Sequence, residues 1–479
     1  MASNQLLDAN KVKNDFEVED TVGRKSNRTF LYIAACTANL FAFCCGIAFG
    51  WSSPILPKLR ENIESSLPHS ITPEDESWIG SLLPLGAAIG PFAAGFCSDR
   101  FGRKKTILMS VVPMLIAFFT FAYANTVGYY YVGRFFCGLT VGGIFTVLPV
   151  YIAEIAEDEV RSSLGSFMQL FIVVGLTFSY ATGPYIPMGN YNLIACLILI
   201  ISSFAFFLYI PETPHYHIAK NELKQAEDSL MKLRSKSRDE IMSELTLIKE
   251  SVQGAGGKQG GFSDIFASQV IKKALGLTLL LMVYQQFCGI NVVLFYTATI
   301  FAATGSSIPP DVSTIIIGVV QIMASGVTPM IVDKYGKRFL LIVSALMMCI
   351  GEVTLGFYFY LKEIGNNLES ISWLPITCLV VYIVFYSIGM GPLPWAVMGE
   401  LFPTEVKSAA ATAIASSCWL MAFLLTKFFG NVSAIIGIGG SFWIFAGFCA
   451  FAVFQIYKYL PETSGKSLQQ IQEILAKGK

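Results

Sequence analysis

The chain has 479 residues, of which 54% are hydrophobic and only 14% are charged. Soluble domains contain about 45–50% apolar and about 25% charged residues, so this composition excludes an ordinary soluble protein. The 33 basic and 33 acidic residues balance, and no excess of positive charge points to nucleic acid. The eleven cysteines lie in or beside apolar segments and the three histidines lie in polar ones, so we expect no metal site and no cofactor. The composition predicts a polytopic membrane protein.

A helix that crosses a bilayer needs about 20 consecutive apolar residues. Segments of that length occur in two sets of six, separated by a polar stretch. The first set lies at 30–51, 77–97, 106–124, 128–152, 163–183 and 190–210. The second set lies at 272–302, 312–332, 339–360, 373–398, 408–430 and 436–459. The sequence thus predicts an all-α membrane protein with twelve transmembrane helices in two six-helix halves.

These segments divide the chain into five parts. We expect an N-terminal tail at 1–29, six-helix halves at 30–210 and 271–460, a linker at 211–270 and a C-terminal tail at 461–479. The linker has the interleaved charges and leucines of amphipathic helices, so a solvated linker and a small helical lid both remain open. With the N-terminus inside, 28 of the 33 Lys and Arg residues fall on the cytoplasmic side, which predicts that both termini are cytoplasmic.

Three short motifs occur twice, once in each half of the chain. They occupy 99–104 and 333–338, 154–161 and 400–407, and 211–213 and 461–463. The first is an acid followed by a glycine and bases, the second a Glu with a base seven residues later, and the third is Pro-Glu-Thr. Paired motifs in the same order indicate two homologous halves, the arrangement of transporters that rock about a central site.

Charged residues of the paired motifs lie at predicted helix ends on one side of the membrane. The pattern predicts ion pairs that close this face when the halves meet and separate when it opens. An exposed ion pair is worth about 0–1 kcal/mol, which allows thermal opening. The bases alone could be ordinary topology signals, but acids repeated at matched spacing favour a gate. The gate residues are Asp99, Arg100, Arg103, Glu154, Arg161, Asp333, Lys337, Arg338, Glu400 and Lys407.

Further motifs accompany these pairs. They are Arg134, Pro149-x-Tyr151-x-x-Glu154 and Gln285-Gln286-x-x-Gly289-x-Asn291. The whole combination resembles the sugar-porter family of the major facilitator superfamily over about 30–470, and segments 80–86, 151–158 and 399–407 are most similar to its insect facilitated trehalose transporters. The resemblance implies the major facilitator fold, transport of trehalose or a hexose rather than an enzymatic activity, and the plasma membrane as location. It identifies no protein partner besides the lipid bilayer.

The seventh apolar segment carries three amide side chains, at Gln285, Gln286 and Asn291. Amides both donate and accept hydrogen bonds, as sugar hydroxyls require, and they are costly inside a bilayer unless they face protein or water. The resemblance implies that all three contact sugar. It implies the same for Gln169 on the fifth segment and Gln321 on the eighth. Amides that only tie helices together are the alternative.

Two of the predicted helices contain breaks. Gly289 lies between the amides of the seventh segment, and the tenth segment has two glycines and two prolines at 389–394. Such residues interrupt the backbone ladder, which is tolerated at membrane depth where a helix lines a cavity. The resemblance implies that Trp395, beside the second break, caps the sugar from the inner side; an interfacial tryptophan is the alternative. Phe295 and Tyr296 are expected to form an outer gate.

The sequence departs from the glucose facilitators of the family at three positions. Ser387 stands where those proteins commonly carry Glu, and Cys418 and Ala422 stand where they commonly carry Asn. A hydrogen-bonding pocket discriminates by the groups that it leaves unpaired. Glucose specificity therefore does not carry over, and trehalose and a hexose both remain candidates.

Arg134 is the only basic residue well inside a predicted helix, where it costs about 2.5–3.5 kcal/mol and needs a partner. In proton-coupled members of the resembled family an Asp on the first helix lies beside this Arg, but here the position is Ser52, which cannot titrate. The sequence therefore favours facilitated diffusion. Glu352, within the ninth segment, keeps proton symport as an alternative. A non-transporting sugar sensor is less favoured, because little chain follows the twelfth segment.

Overall fold

The computed structural model describes residues 28–63, 66–157, 159–254, 265–266, 268–304, 308–464, 466 and 468–477. Regular secondary structure within these ranges is entirely helical. The predicted N-terminal tail lies outside the described residues except at its last two positions. The predicted all-α class is confirmed.

The first half consists of seven helices. They are α1 (Thr29–Gly50), α2 (Ser52–Arg60), α3 (Pro73–Phe101), α4 (Arg103–Ala122), α5 (Val127–Ile155), α6 (Arg161–Thr182) and α7 (Met188–Tyr209). The first crossing is longer than the sequence predicts, because α2 continues α1 beyond Trp51 to form a helical span of 32 residues. The residues of α2 were expected in a loop, but Ile55, Leu56 and Leu59 are buried, and this packing holds them in a helix.

The linker forms a small helical unit. Its helices are α8 (Pro214–Ala219), α9 (Leu223–Arg234) and α10 (Arg238–Gly254). They share a core of their own, built by Ile218, Ala226, Leu230, Ile241 and Leu245. Arg234 joins this unit to the first half, since its Nη1 donates to the carbonyl of Ile155 at the end of α5 (2.8 Å) while its Nη2 pairs with Glu244 (2.6 Å).

The second half contains more interruptions than the first. Its helices are α11 (Gln269–Phe287), α12 (Ile290–Phe295), α13 (Thr297–Thr304), α14 (Pro310–Tyr335), α15 (Lys337–Glu363), α16 (Leu374–Phe385), α17 (Leu393–Leu401) and α18 (Thr404–Tyr459). A π-helical turn, Tyr386–Met390, separates α16 from α17. A last helix, α19 (Leu468–Lys477), lies in the C-terminal tail.

Eleven helices of the described chain are long and apolar enough to cross a membrane, and the last of them runs over Ala409–Tyr459. Its 51 residues are far too long for a bilayer core of about 30 Å. Gly437, with φ 77° and ψ 165°, turns the chain back inside it. The positive φ strains any side chain at this position, and a Cβ would lie 2.4 Å from Oε2 of Glu363. Helix α18 therefore crosses twice, and the predicted twelve crossings are confirmed.

Small residues set the helix packing within the first half. A Cβ on Gly86 of α3 would lie 2.2 Å from the carbonyl oxygen of Phe135, and one on Gly138 of α5 would lie 2.1 Å from that of Leu83. The hydrophobic effect does not drive helices together in lipid, so the van der Waals contacts of such close packing stabilise their association instead. The two halves meet where α3 packs on α18 and α6 packs on α14.

Candidate functional site

The three amides of the seventh crossing lie at a break between two helices. Helix α11 ends at Phe287 and α12 begins at Ile290. Gly289 between them has φ 79°, and a Cβ there would lie 2.5 Å from the ring of Phe445. The predicted break at Gly289 is therefore present, and only glycine fits it.

The amides are buried and connected to one another. Asn291 donates from Nδ2 to Oε1 of Gln286 (2.5 Å), and Gln286 donates from Nε2 to Sγ of Cys418 on α18 (2.9 Å). Cys418 in turn donates to Oε1 of Gln285 (3.7 Å). The structure thus brings together the three predicted amides, and it adds Cys418, which occupies a position that the sequence marked only as a departure.

The other predicted contacts lie on three different helices. Gln169 on α6 and Trp395 on α17 are partly exposed, whereas Gln321 on α14 is buried. Within the described residues, Oε1 of Gln321, Oγ of Ser387 and Nε1 of Trp419 are buried without a hydrogen-bond partner. Buried polar atoms are nearly always bonded, to protein, water or ligand. These three atoms therefore have unused hydrogen-bonding capacity.

Aromatic rings also join the two halves. The indole of Trp419 packs on Phe49 (centroids 5.9 Å apart) and on Phe145 (5.6 Å), both in the first half. Phe295, a predicted outer-gate residue, also stacks on Phe49 at 6.3 Å. The other predicted gate residue, Tyr296, reaches α3, where a Cβ on Gly80 would lie 2.4 Å from its hydroxyl.

The halves are also fastened to each other at one end of the bundle, which we call the distal end. Tyr180 at the end of α6 donates its hydroxyl proton to the carbonyl of Leu294 (2.7 Å). The backbone N–H of Ala298 donates to Oγ of Ser53 (3.2 Å), and Lys427 pairs with Glu74 (2.6 Å).

The opposite end, which we call the motif end, carries the repeated motifs. Nη2 of Arg103 lies 2.9 Å from Oε1 of Glu154 in the first half, and Lys337 pairs with Glu400 at the corresponding place in the second. Each pair links the helix after the glycine turn with the end of the next crossing, which is formed by α5 in one half and ends with α17 in the other. Both pairs lie within their own half rather than between the halves.

Two carboxylates that the gate prediction omitted complete this arrangement. Glu212 accepts hydrogen bonds from the backbone N–H groups of Arg103 (3.2 Å) and Lys104 (2.9 Å) at the start of α4. Glu462 accepts from those of Lys337 and Arg338 at the start of α15, each at 3.1 Å. A carboxylate satisfies the free N–H groups of a helix N-terminus and is favoured by its dipole. The repetition of Pro-Glu-Thr at 211–213 and 461–463 was the sequence signal for these caps.

The two caps differ in their electrostatic surroundings. Burial raises the pKa of Glu212, although backbone hydrogen bonds from Thr213 and Lys104 oppose the shift. For Glu462, burial also acts to raise the pKa, but hydrogen bonds from Ser464, Arg338 and Lys337 outweigh it and lower the pKa. On acidification, the cap of the first half therefore takes up its proton at a higher pH than that of the second.

Four of the remaining predicted gate residues are exposed at the motif end. Asp99 and Arg100 are exposed at the end of α3, and Arg161 and Lys407 are exposed near the starts of α6 and α18. Arg338 donates to the carbonyl of Tyr457 and lies over its ring at 5.6 Å. The side chain of Asp333 lies outside the described residues.

The two intramembrane charges lie in contrasting environments. Arg134 is fully buried and donates to the carbonyls of Ile79 (2.9 Å) and Ala48 (2.7 Å). Its guanidinium also lies over the ring of Trp51 at 5.4 Å. In the described part of the chain, the buried carboxyl of Glu352 forms no ion pair, and its polar neighbour is the thiol of Cys449. The expectation of a partner is therefore met for Arg134, but by carbonyls and rings.

The twelve crossings form two repeated halves that are joined at the distal end, and buried amides lie at the break in the seventh crossing. This arrangement defines a membrane transporter with the major facilitator fold. The family model "Sugar (and other) transporter" matches residues 33–475, and the chain belongs to this family. The chain is 36% identical to the facilitated trehalose transporter Tret1 of Apis mellifera ligustica, across 94% of this chain and 88% of that protein. It is 33% identical to Tret1 of Bombyx mori, across 98% and 93%. The predicted family is confirmed.

Solved structures show the same fold. The inward-open conformation of the xylose transporter XylE from E. coli matches with a TM-score of 0.76 at 24% identity, covering 94% of this chain and all of that one. The proton:xylose symporter XylE bound to 6-bromo-6-deoxy-D-glucose matches with a TM-score of 0.73, also at 24% identity, covering 92% and 99%. At this identity the likeness concerns the fold alone.

Proposed function

We propose that the protein carries trehalose or a hexose across the plasma membrane by facilitated diffusion. The family and the similarity to insect Tret1 proteins support sugar as the class of substrate. The observation that carries the proposal is the buried amide network in which Asn291 donates to Gln286 beside the glycine break. Neutral donors and acceptors at membrane depth suit a polyhydroxylated, uncharged guest.

The substrate path runs between the halves. Gln286 and Asn291 provide its central contacts, and Gln285 belongs to the same group. Gln321 adds an acceptor that is still unpartnered, while Gln169 and Trp395 line the path toward the motif end, where they are partly exposed. The unpartnered Nε1 of Trp419 offers a further donor at the aromatic contact between the halves.

Alternating access follows from the way in which the halves are joined. The distal end is closed by contacts that cross between the halves, and we assign it to the outside because the Lys and Arg residues of the repeated motifs lie at the motif end. Both termini are then cytoplasmic. The pairs Arg103–Glu154 and Lys337–Glu400 hold the helix ends of each half together, so that each half moves as one body. The exposed charges Asp99, Arg100, Arg161 and Lys407, with Arg338 and Asp333, form the inner gate when that end closes.

Uniport is favoured over proton symport. The side chain of Arg134 donates to two carbonyls and lies over an aromatic ring, and the nearby first span offers Ser52 rather than an acid. The alternative requires another titratable group, and the observation in its favour is the buried carboxyl of Glu352 inside α15, which forms no ion pair in the described part of the chain.

Uptake of labelled trehalose and glucose into cells that express the chain tests the proposal. The measurement is made at acidic and neutral pH, with and without a protonophore. Saturable uptake of one sugar that ignores pH and protonophore is expected. Concentrative uptake that the protonophore abolishes would support symport, and Glu352→Gln would then have to remove it. Absence of uptake of either sugar, with the protein at the surface, would contradict the proposed substrates.

A further inference from the structure

The break in the tenth crossing leaves backbone carbonyls without their helical partners. A helical carbonyl accepts from the N–H four residues on, or five residues on in a π turn. For Met390 the residue four positions on is Pro394, and for Ser387 the residue five positions on is Pro392; neither has an N–H. The amide of Gly391 already donates to Tyr386 (2.8 Å). An unsatisfied carbonyl at membrane depth is expensive, so these groups require donors from elsewhere.

Side chains of three other helices form hydrogen bonds with the backbone groups at the break. Thr328 on α14 donates from Oγ1 to the carbonyl of Ser387 (2.9 Å). Ser344 on α15 inserts its hydroxyl into the ladder, because it accepts from the N–H of Met390 (3.0 Å) and donates to the carbonyl of Phe385 (2.7 Å). Two further carbonyls at the break, those of Met390 and Gly391, accept from the third helix.

Gln285 on α11 satisfies both of these carbonyls. Its Nε2 donates to Met390 (3.0 Å) and to Gly391 (2.7 Å), which uses both N–H bonds of the amide. Its Oε1 accepts from Cys418. The side chain of Gln286, the next residue, bonds instead to Cys418 and Asn291. Two adjacent amides of one motif therefore share Cys418 but otherwise have different partners.

We infer that Gln285 is a positioning residue, whose amide replaces the N–H that Pro394 lacks and thereby fixes the broken tenth crossing against the broken seventh. Trp395 directly follows Pro394, so this bond also sets where the indole lies relative to the amide network. The two interrupted helices then move together, and a sugar bound by Gln286 and Asn291 acts on the tenth crossing through Gln285.

Pro394→Ala gives a direct test, because it restores an N–H that can donate to Met390. Gln285→Met removes the amide at similar side-chain length, and thermal unfolding of the purified full-length protein is measured for both single variants and the double variant. We expect Gln285→Met to lower the melting temperature of the wild-type chain, and the drop to shrink to about half or less when Pro394→Ala is already present. Equal drops with and without Pro394→Ala would overturn the inference.

Gln286→Met is the matched control, since the Gln286 amide bonds to Cys418 and Asn291 rather than to the tenth crossing. Its effect on the melting temperature is expected to be the same with and without Pro394→Ala. Gln285→Asn, whose shorter side chain cannot span both carbonyls, replaces Gln285→Met if that variant does not accumulate. This arm measures stability and requires no substrate, so it stands even if the proposed sugars are wrong.

A second arm, which rests on the proposed function, uses sugar uptake normalised to surface protein. A positioning role predicts that Gln285→Met lowers Vmax while KM changes less than about twofold, and that Pro394→Ala recovers part of the lost Vmax. A direct sugar contact would instead raise KM, and adding Pro394→Ala would not help. That result would overturn the positioning role in transport.

Discussion

Nζ of Lys427, in the second half, lies 2.6 Å from Oε1 of Glu74 at the start of α3 in the first half. Lys427 also lies over the ring of Trp78 at 4.1 Å, and its carbonyl accepts from Oγ of Ser77 (2.6 Å). The neighbouring acids bond within the first half, Asp75 to Tyr131 and Glu76 to Arg60. Glu74 thus differs from the acids beside it in closing the distal end across the two halves.

Glu74→Gln is expected to favour the state that is open at the distal end. The Glu74 side chain is 62% exposed, so the pair is worth at most about 1 kcal/mol, or about a two- to fivefold shift in population. Reaction of a cysteine introduced at Ser53, between the halves, with a membrane-impermeant thiol reagent measures the shift. Glu76→Gln removes the same charge from a pair that lies within the first half, so it should leave the rate of the thiol reaction unchanged. Charge exchange, Glu74→Lys with Lys427→Glu, should return the rate of the thiol reaction toward wild type. If Glu76→Gln changed this rate as much as Glu74→Gln and charge exchange did not restore it, the proposed role of the Glu74–Lys427 pair would be refuted.

Gln286→Ala is expected to reduce sugar uptake about tenfold or more while surface expression persists. The substitution removes a buried amide and leaves Asn291 without its acceptor, which costs about 1–3 kcal/mol. Uptake normalised to surface-labelled protein is the measurement. Cys418→Ser retains an acceptor for Gln286 and should lose less activity than Cys418→Ala. Full uptake by Gln286→Ala would remove the seventh crossing from the substrate site.

Gly102→Ala and Gly336→Ala should each destabilise the protein by about 1–3 kcal/mol, because a side chain is strained at positive φ. Gly102 has φ 96° and Gly336 has φ 79°, and a Cβ would lie 2.4 Å and 2.8 Å from the capping carboxylates of Glu212 and Glu462. Thermal unfolding of the purified protein measures the loss. Gly95→Ala, on α3 and with no atom within 4 Å of the added Cβ, is the control and should change the melting temperature little. Comparable losses at all three glycines would contradict the close fit of the caps.

The two caps should affect the pH dependence of stability in opposite directions. The pKa of Glu462 is lowered in the folded state, so its contribution is present above the ordinary pKa of Glu, about 4.3, and is lost as the pH falls through the folded value. The pKa of Glu212 is raised, so acidification through its folded pKa favours the folded state. The difference between melting temperatures at neutral and acidic pH should therefore shrink in Glu462→Gln and grow in Glu212→Gln. A change of the same sign in both variants would contradict the assigned pKa shifts.

Much of the architecture follows from local chemistry and was predictable from sequence. Long apolar runs indicated the twelve crossings, because an apolar helix is the simplest way for a single chain to satisfy its backbone in lipid. The breaks at Gly289 and before Pro392 were also predictable from local sequence. Glycine tolerates a positive φ and proline has no backbone N–H, so each residue interrupts the helix at its own position. The repeated motifs predicted the symmetric placement of Arg103–Glu154 and Lys337–Glu400.

The partners of these local features were decided by the tertiary structure. Nothing near Gln285 in the sequence indicates that its amide satisfies Met390 and Gly391, more than a hundred residues away. The caps formed by Glu212 and Glu462 and the contact between Glu74 and Lys427 likewise join distant segments. The sequence determined which helices form and where they break, because those properties depend on the backbone of each segment. Packing of the helices determined which polar group meets which, because a buried donor is satisfied by whatever acceptor the neighbouring helix brings within about 3 Å.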